Sequence, residues 1–225
     1  MLYSFNMKEA IFSIKREIEN ARILCGKEEK VWLVAAAKSR SAEEITQALS
    51  LGCDAAGENR VQELTEKFPL VRNGSFHFIG TLQRNKVKYL TGKVSLIQSV
   101  DSFELAQEID KRWEKTGDII NVLIEVNIGR EPQKGGVAEE ELDALIKFIL
   151  TKSHLRLRGF MAVLPIGAPK ELYLSMRALY EKTKAGLNLP YFDILSMGMT
   201  DDYKIAVACG SNMVRIGRGI FGERK

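Results

Sequence analysis

One lysine is set apart by its position. The stretch VWLVAAAKS (31–39) is an apolar run about one buried strand long, with Lys38 at its end. Continuous apolar runs belong to strands covered on both faces, and ligands gather where such strands emerge at their carboxyl ends. A lysine that is partly desolvated there can become a nucleophile and form a Schiff base with an aldehyde. A solvated lysine in a connecting loop is the plain alternative. Two later segments offer anion chemistry. SMGMT (196–200) brings two hydroxyls, Ser196 and Thr200, and a glycine to the start of a helix, while RIGRG (215–219) sets the backbone N–H groups of Gly217 and Arg218 in a glycine-rich turn. Chain of that kind can approach a phosphate closely. Ser196 and Thr200 could equally cap the following helix, and Arg215 could be a structural ion-pair partner.

The elements that must position these residues are legible as an alternation. Strand-like runs fall at 31–37, 53–57, 76–80, 94–99, 121–127, 155–163, 192–197 and 212–217, the second of them weak. An amphipathic helix over 7–25 precedes them, with Ile11, Ile14, Ile18 and Ala21 on one face. Ser41 with Glu44, and Asp101 with Glu104, have the spacing of reciprocal helix caps. Later helices are expected over 139–150 and from 170 to about 184. Short connections leave no linker, so one domain over 1–225 is expected. About eight strands alternating with helices point to the α/β class and a (β/α)₈ TIM-type barrel with an additional N-terminal helix. A doubly wound sheet competes, but it would want a glycine-rich turn after its first strand, where AAAKSRS stands.

In a closed barrel the first and last strands are neighbours, so Lys38 would face the anion-binding turns of strands 7 and 8. A lysine beside a phosphate cradle suits a phosphorylated aldehyde, and pyridoxal 5′-phosphate (PLP) adds a ring nitrogen that Arg215 could meet. A guanidinium can only donate, so that nitrogen would stay unprotonated and the ring would be a weak electron sink.

Composition narrows the classes. The 225 residues are 45% hydrophobic and 28% charged, with 33 Lys plus Arg against 29 Asp plus Glu spread along the chain. A net charge of +4 without a basic patch does not argue for nucleic acid, and the QRNKVK segment (83–88) reads as a solvated helix face. With neither a signal-peptide core nor an apolar span, the expectation is a cytoplasmic protein without a membrane partner. Cys25, Cys53 and Cys209 lack any metal-binding spacing and are expected as reduced thiols.

The series AAAKSRS, GENRVQEL, FHFIGTLQRNK, EVNIGREPQKGG, RGFMAV and LSMGMTDDYKIAVACGSNMVRIGRGIFG resembles, in that order, the pyridoxal-phosphate homeostasis protein family, relatives of the alanine racemase barrel domain. The likeness runs from about residue 8 to residue 222. It implies that Lys38 holds PLP as an internal aldimine, that Ser196, Thr200 and the backbone of Gly217 and Arg218 bind its phosphate, and that Arg215 sits by the ring nitrogen. Asn59, His77 and Met161 would line the pocket. From the residues alone, Asn59 could also be a helix N-cap, His77 a core histidine and Met161 a packing residue. This chain has Arg218 where the family commonly carries a small residue, Ala37 where a serine or threonine is common, and Arg60 in place of a frequent aromatic.

Two functions follow as expectations. One is a non-enzymatic monomer that buffers or delivers PLP, with apo PLP-dependent enzymes as the implied recipients. The other is an amino-acid racemase or related PLP enzyme, which needs a second acid or base besides the lysine. None of Tyr3, Tyr89, Tyr173, Tyr180, Tyr191 and Tyr203 directly follows an expected strand. Glu58 and Glu125 could form a carboxylate pair, but their spacing does not set their separation. A barrel that binds another phosphorylated metabolite without covalent chemistry is a third class.

Overall fold

All eight apolar runs become parallel strands, and the strand order of the barrel is the order of the chain. In the computed structural model, which describes residues 5–26, 28–72, 74–131 and 133–223, these are β1 (Trp32–Ala36), β2 (Ala55–Glu58), β3 (Phe76–Phe78), β4 (Leu96–Val100), β5 (Ile120–Glu125), β6 (Leu155–Met161), β7 (Ile194–Ser196) and β8 (Met213–Ile216). Each pairs with the next and β1 pairs with β8, closing a TIM-type barrel. The α-helices are α1 (Met7–Leu24), α2 (Ala42–Ser50), α3 (Val61–Lys67), α4 (Phe103–Glu114), α5 (Glu139–Leu150), α6 (Lys170–Leu187), α7 (Tyr203–Ala208) and α8 (Arg218–Phe221). After β3 the connection is a 3₁₀ turn, Arg84–Tyr89, where Lys86 and Lys88 lie over the exposed ring of Tyr89.

Alternation along the strands separates two apolar layers. Val34, Ala55, Leu96, Leu123, Met161, Ile194 and Met213 fill the barrel, while a larger core lies between the strands and the helices. The N-terminal helix α1 buries the expected Ile11, Ile14, Ile18 and Ala21 and lies against α7 and α8, the helices that flank β8. β6 carries one extra residue where its register with β5 shifts between Leu157 and Gly159. Gly159 takes φ +142°, and a Cβ there would stand 1.8 Å from the Ile194 carbonyl oxygen, so only glycine lets β6 and β7 approach this closely.

The cap of α2 is as expected: the Ser41 hydroxyl accepts from the Glu44 N–H and the Glu44 carboxylate accepts from the Ser41 N–H. Two other caps differ. Ser102, not Asp101, caps α4, accepting from the Leu105 N–H. Asp101 instead stays at the strand end, where burial raises its pKa. The residue at the start of α3 is Arg60 rather than Asn59, and it makes no side-chain cap; its guanidinium reaches Glu63 at 3.5 Å.

Candidate functional site

Strand parity aims Lys38 at the barrel mouth. Val34 belongs to the inner layer, and Ala36 and Lys38 follow it at intervals of two. The β1–β8 pairing sets Val34 opposite Arg215 and Ala35 opposite Ile216, so Gly217 and Arg218 come level with the end of β1. There, Ala36, Lys38, Arg40, Gly217, Arg218, Gly222 and Glu223 line a cavity of about 330 Å³. A Cβ on Gly217 would lie 3.1 Å from the Ala36 carbonyl oxygen, which explains a glycine at this close approach.

The turn into α8 offers donors. Thr200 Oγ1 accepts from the Gly219 N–H at 3.2 Å, and the Ile220 and Phe221 N–H groups return to the Gly217 carbonyl. Among the described residues no acceptor meets the N–H of Gly217 or Arg218. The Arg218 guanidinium pairs with Asp201 and lies 3.5 Å from Glu223, which lines the same cavity.

Beneath the mouth, one hydrogen-bonded chain crosses the barrel. Arg215 is 4% exposed; Nη1 donates to Ser196 Oγ at 2.5 Å and Nη2 to the Ala162 carbonyl at 2.9 Å. Because a guanidinium only donates, Ser196 accepts from it and directs its own proton to Gln98 Oε1, 2.7 Å away. That fixes the amide orientation, so Gln98 Nε2 donates to His77 Nδ1 at 3.1 Å and the histidine proton belongs on Nε2. The arginine thereby sets the direction of every proton down to the histidine.

The Ser196 hydroxyl is fully buried and holds both Arg215 and Gln98. Met161 lies in the same inner layer, and Asn59 follows β2 at the rim, where a Cβ on Gly80 would come within 2.4 Å of its carbonyl oxygen. His77 is 4% exposed, and burial pushes its pKa down to about 4.

This depression has a sign that can be measured. Folded His77 resists protonation below its ordinary value of 6.5, so its contribution is complete above pH 6.5 and is lost as pH falls towards 4. The stability of the wild type relative to His77→Gln should therefore decline by up to about 3 kcal/mol across that window, read by urea denaturation. A pH-independent difference would contradict a neutral buried imidazole.

The two candidate carboxylates do not form a pair. Glu58 lies beneath α3, ion-paired to Lys67 at 2.8 Å, and burial lifts its carboxyl to about 7 against that pull. Glu125 follows the inner-layer Leu123 at an interval of two, and the loop at Gly135 passes over it. Burial raises it to about 7, against the attraction of Arg215 and with the repulsion of Asp101. Burial also pulls Arg215 down to about 10. The hydroxyls of Tyr173, Tyr180 and Tyr203 donate to Asp202, to the Phe192 carbonyl and to Glu17, and Tyr3 lies outside the described residues. No described helix is long and apolar enough to cross a membrane.

The polar residues that sequence reasoning passed over are Gln98, Arg40 and the Glu63–Lys67 pair. Gln98 had a signal, since it interrupts the apolar run VSLIQS. The others lie on helix or loop positions where a charged residue is ordinary.

Comparison with known proteins adds three findings. Residues 11–225 match the family described as "Alanine racemase, N-terminal domain". The chain is 38% identical over 229 residues to the "Pyridoxal phosphate homeostasis protein" of Aquifex aeolicus, covering 98% of this chain and 99% of that one. It is 36% identical over 231 residues to the protein of the same name from Haemophilus influenzae, with 97% and 96% covered. Among solved structures, PipY of Synechococcus elongatus with PLP bound superposes with a TM-score of 0.84 at 26% identity, covering 96% of this chain and 100% of that one.

Proposed function

Since the chain belongs to the alanine racemase N-terminal domain family, and within it to the pyridoxal phosphate homeostasis proteins, we propose that it binds PLP on Lys38 and holds it for buffering or delivery. The observation that carries this reading is the shared cavity of Lys38 with Gly217 and Arg218, an amine beside two backbone donors that meet no acceptor among the described residues. The donor set fits the cofactor. PLP supplies an aldehyde to amines, a phosphate to anion sites and a ring able to store electrons.

Lys38 would hold the cofactor through its ε-amine, joined to the aldehyde carbon with loss of water. Thr200 and the N–H groups of Gly217 and Arg218 hold the phosphate, which keeps the aldehyde in reach of one lysine. Arg215 donates to the ring nitrogen. Ser196 and the Ala162 carbonyl hold that guanidinium, while His77, Met161 and Asn59 bound the pocket.

The same residues favour holding over turnover. An arginine at the ring nitrogen weakens carbanion stabilisation, and racemisation would want an acid on the face opposite the lysine. Three of the tyrosines already donate elsewhere in the fold. The test is α-proton exchange of alanine and serine in deuterated water with PLP-loaded protein. Exchange at the rate of free PLP is expected; faster exchange that vanishes in Lys38→Ala would reverse the choice in favour of a racemase-like enzyme.

A further inference from the structure

Lys38 stands in a short link whose backbone is unusual. The next residue, Ser39, has φ +62°, a left-handed conformation that a non-glycine residue keeps only where its surroundings impose it. The link is a tight turn closed by the Arg40 N–H on the Ala37 carbonyl at 3.0 Å, and α3 adds a grip on each side of Lys38. The Ser39 N–H donates to Glu63 Oε2 at 2.7 Å, and on the other side of Lys38 the Ala37 carbonyl accepts from Lys67 Nζ at 3.2 Å. Lys67 also donates to Glu63 Oε2 and Glu58 Oε1, each at 2.8 Å, which closes the arrangement into one unit.

We infer that Glu63 and Lys67 are positioning residues that grip the peptide groups on both sides of Lys38 and aim its amine at the Gly217–Arg218 turn. This deepens the cofactor reading above and rests on it. Neither side chain touches the cavity, so both act through the backbone of the link. Without Glu63, Ser39 loses the acceptor that holds its N–H and relaxes towards ordinary φ, which turns the Cα–Cβ bond of Lys38. Lys67 carries the second grip and also neutralises Glu63, whose carboxyl it holds below its ordinary range, along with the Ser39 N–H, although burial opposes this. Glu58 completes the seat of Lys67 from the outer face of β2, fully buried, with Oε2 meeting no partner among the described residues.

If the cluster only fastened α3 to the barrel, its removal would lower stability and leave the chemistry of Lys38 unchanged. The test therefore measures chemistry. Full-length wild type, Glu63→Ala, Glu63→Gln, Lys67→Met and Lys67→Arg are mixed with PLP, and the growth of the Schiff-base absorption and the fraction fixed to Lys38 by borohydride are recorded. Binding of inorganic phosphate is measured in parallel by calorimetry. Glu63→Ala and Lys67→Met should form the bond about tenfold more slowly or worse, the scale of loss expected from misplacing a reacting group. Their phosphate affinity should stay within about twofold of wild type, because the Gly217–Arg218 turn is untouched. Glu63→Gln keeps an acceptor for Ser39 and Lys67→Arg keeps a cationic donor, so both should recover most of the rate.

Folded Glu63→Ala and Lys67→Met proteins that react at the wild-type rate would overturn the positioning role while leaving the cofactor reading intact. Parallel loss of reaction and phosphate binding would overturn it too, as a purely structural effect. If Glu63→Ala does not fold, the contrast between Lys67→Met and Lys67→Arg decides by the same criteria. A wild type that forms no Schiff base would overturn the cofactor reading and this inference with it.

Discussion

Replacing Lys38 by alanine should abolish the visible Schiff-base band and leave the fold intact. The side chain is only half-buried, so its removal should change stability by less than about 1 kcal/mol. The cofactor interaction should weaken by about 100-fold or more, on the order of 3 kcal/mol, because the covalent bond is gone. What remains is the phosphate site: Thr200 and the N–H groups of Gly217 and Arg218 do not depend on the lysine. Residual PLP binding to Lys38→Ala should therefore be non-covalent, leaving no cofactor mass on the protein after borohydride, and be displaced by inorganic phosphate. Cofactor mass fixed to Lys38→Ala would mean that another amine carries the aldehyde.

Arg215→Gln should separate stability from affinity. The substitution removes a cation that burial has pulled down to about 10, which relieves a desolvation cost, and it leaves the buried Ala162 carbonyl without its donor. Each term is roughly 1–3 kcal/mol and they oppose one another, so the unliganded protein should move by no more than about 2 kcal/mol. The loss on the cofactor side has no such offset. A charge-assisted hydrogen bond to the ring nitrogen is lost, and PLP affinity should fall roughly 10- to 100-fold as measured by fluorescence titration. The Schiff-base band should still form at saturating PLP, because Lys38 and the phosphate turn are unaltered. Unchanged affinity would remove Arg215 from the cofactor site and leave it as the anchor of the Ser196–Gln98–His77 chain.

How far the sequence speaks differs from element to element. The strands were legible because a strand buried on both faces reads as an uninterrupted apolar run, and β1 (WLVAA) is an example. β2 read weakly for a packing reason. Gly57 is small because Val34 and Ile79 crowd the position, a Cβ there falling 2.9 Å and 2.7 Å from their side chains, and Ala55 and Ala56 precede it. Small residues carry little hydrophobic signal even when fully buried. The cap at Asp101 failed by one residue because Ser102 offers the same chemistry next door, and the choice between adjacent capping residues is made by tertiary contacts.

The site was legible in its ends and not in its middle. Lys38 and the Gly217–Arg218 turn meet because β1 and β8 are neighbours in a closed barrel, a consequence of topology alone. Ser196 illustrates the limit. Its motif places it beside Thr200 in the chain, yet it is the last residue of β7 and faces the barrel interior, so the two hydroxyls point to different partners. The grip of Glu63 and Lys67 on the Lys38 link was invisible because it joins backbone groups at 37 and 39 to a helix more than twenty residues away, with no pattern in the residue types.

The most direct test treats the wild-type protein with PLP, reduces it with borohydride and locates the added mass by peptide analysis. The modification is expected on the peptide containing Lys38, at close to one per chain. A cofactor mass fixed mainly to another lysine, or protein that remains unmodified, would contradict the assignment of Lys38 as the residue that holds the cofactor.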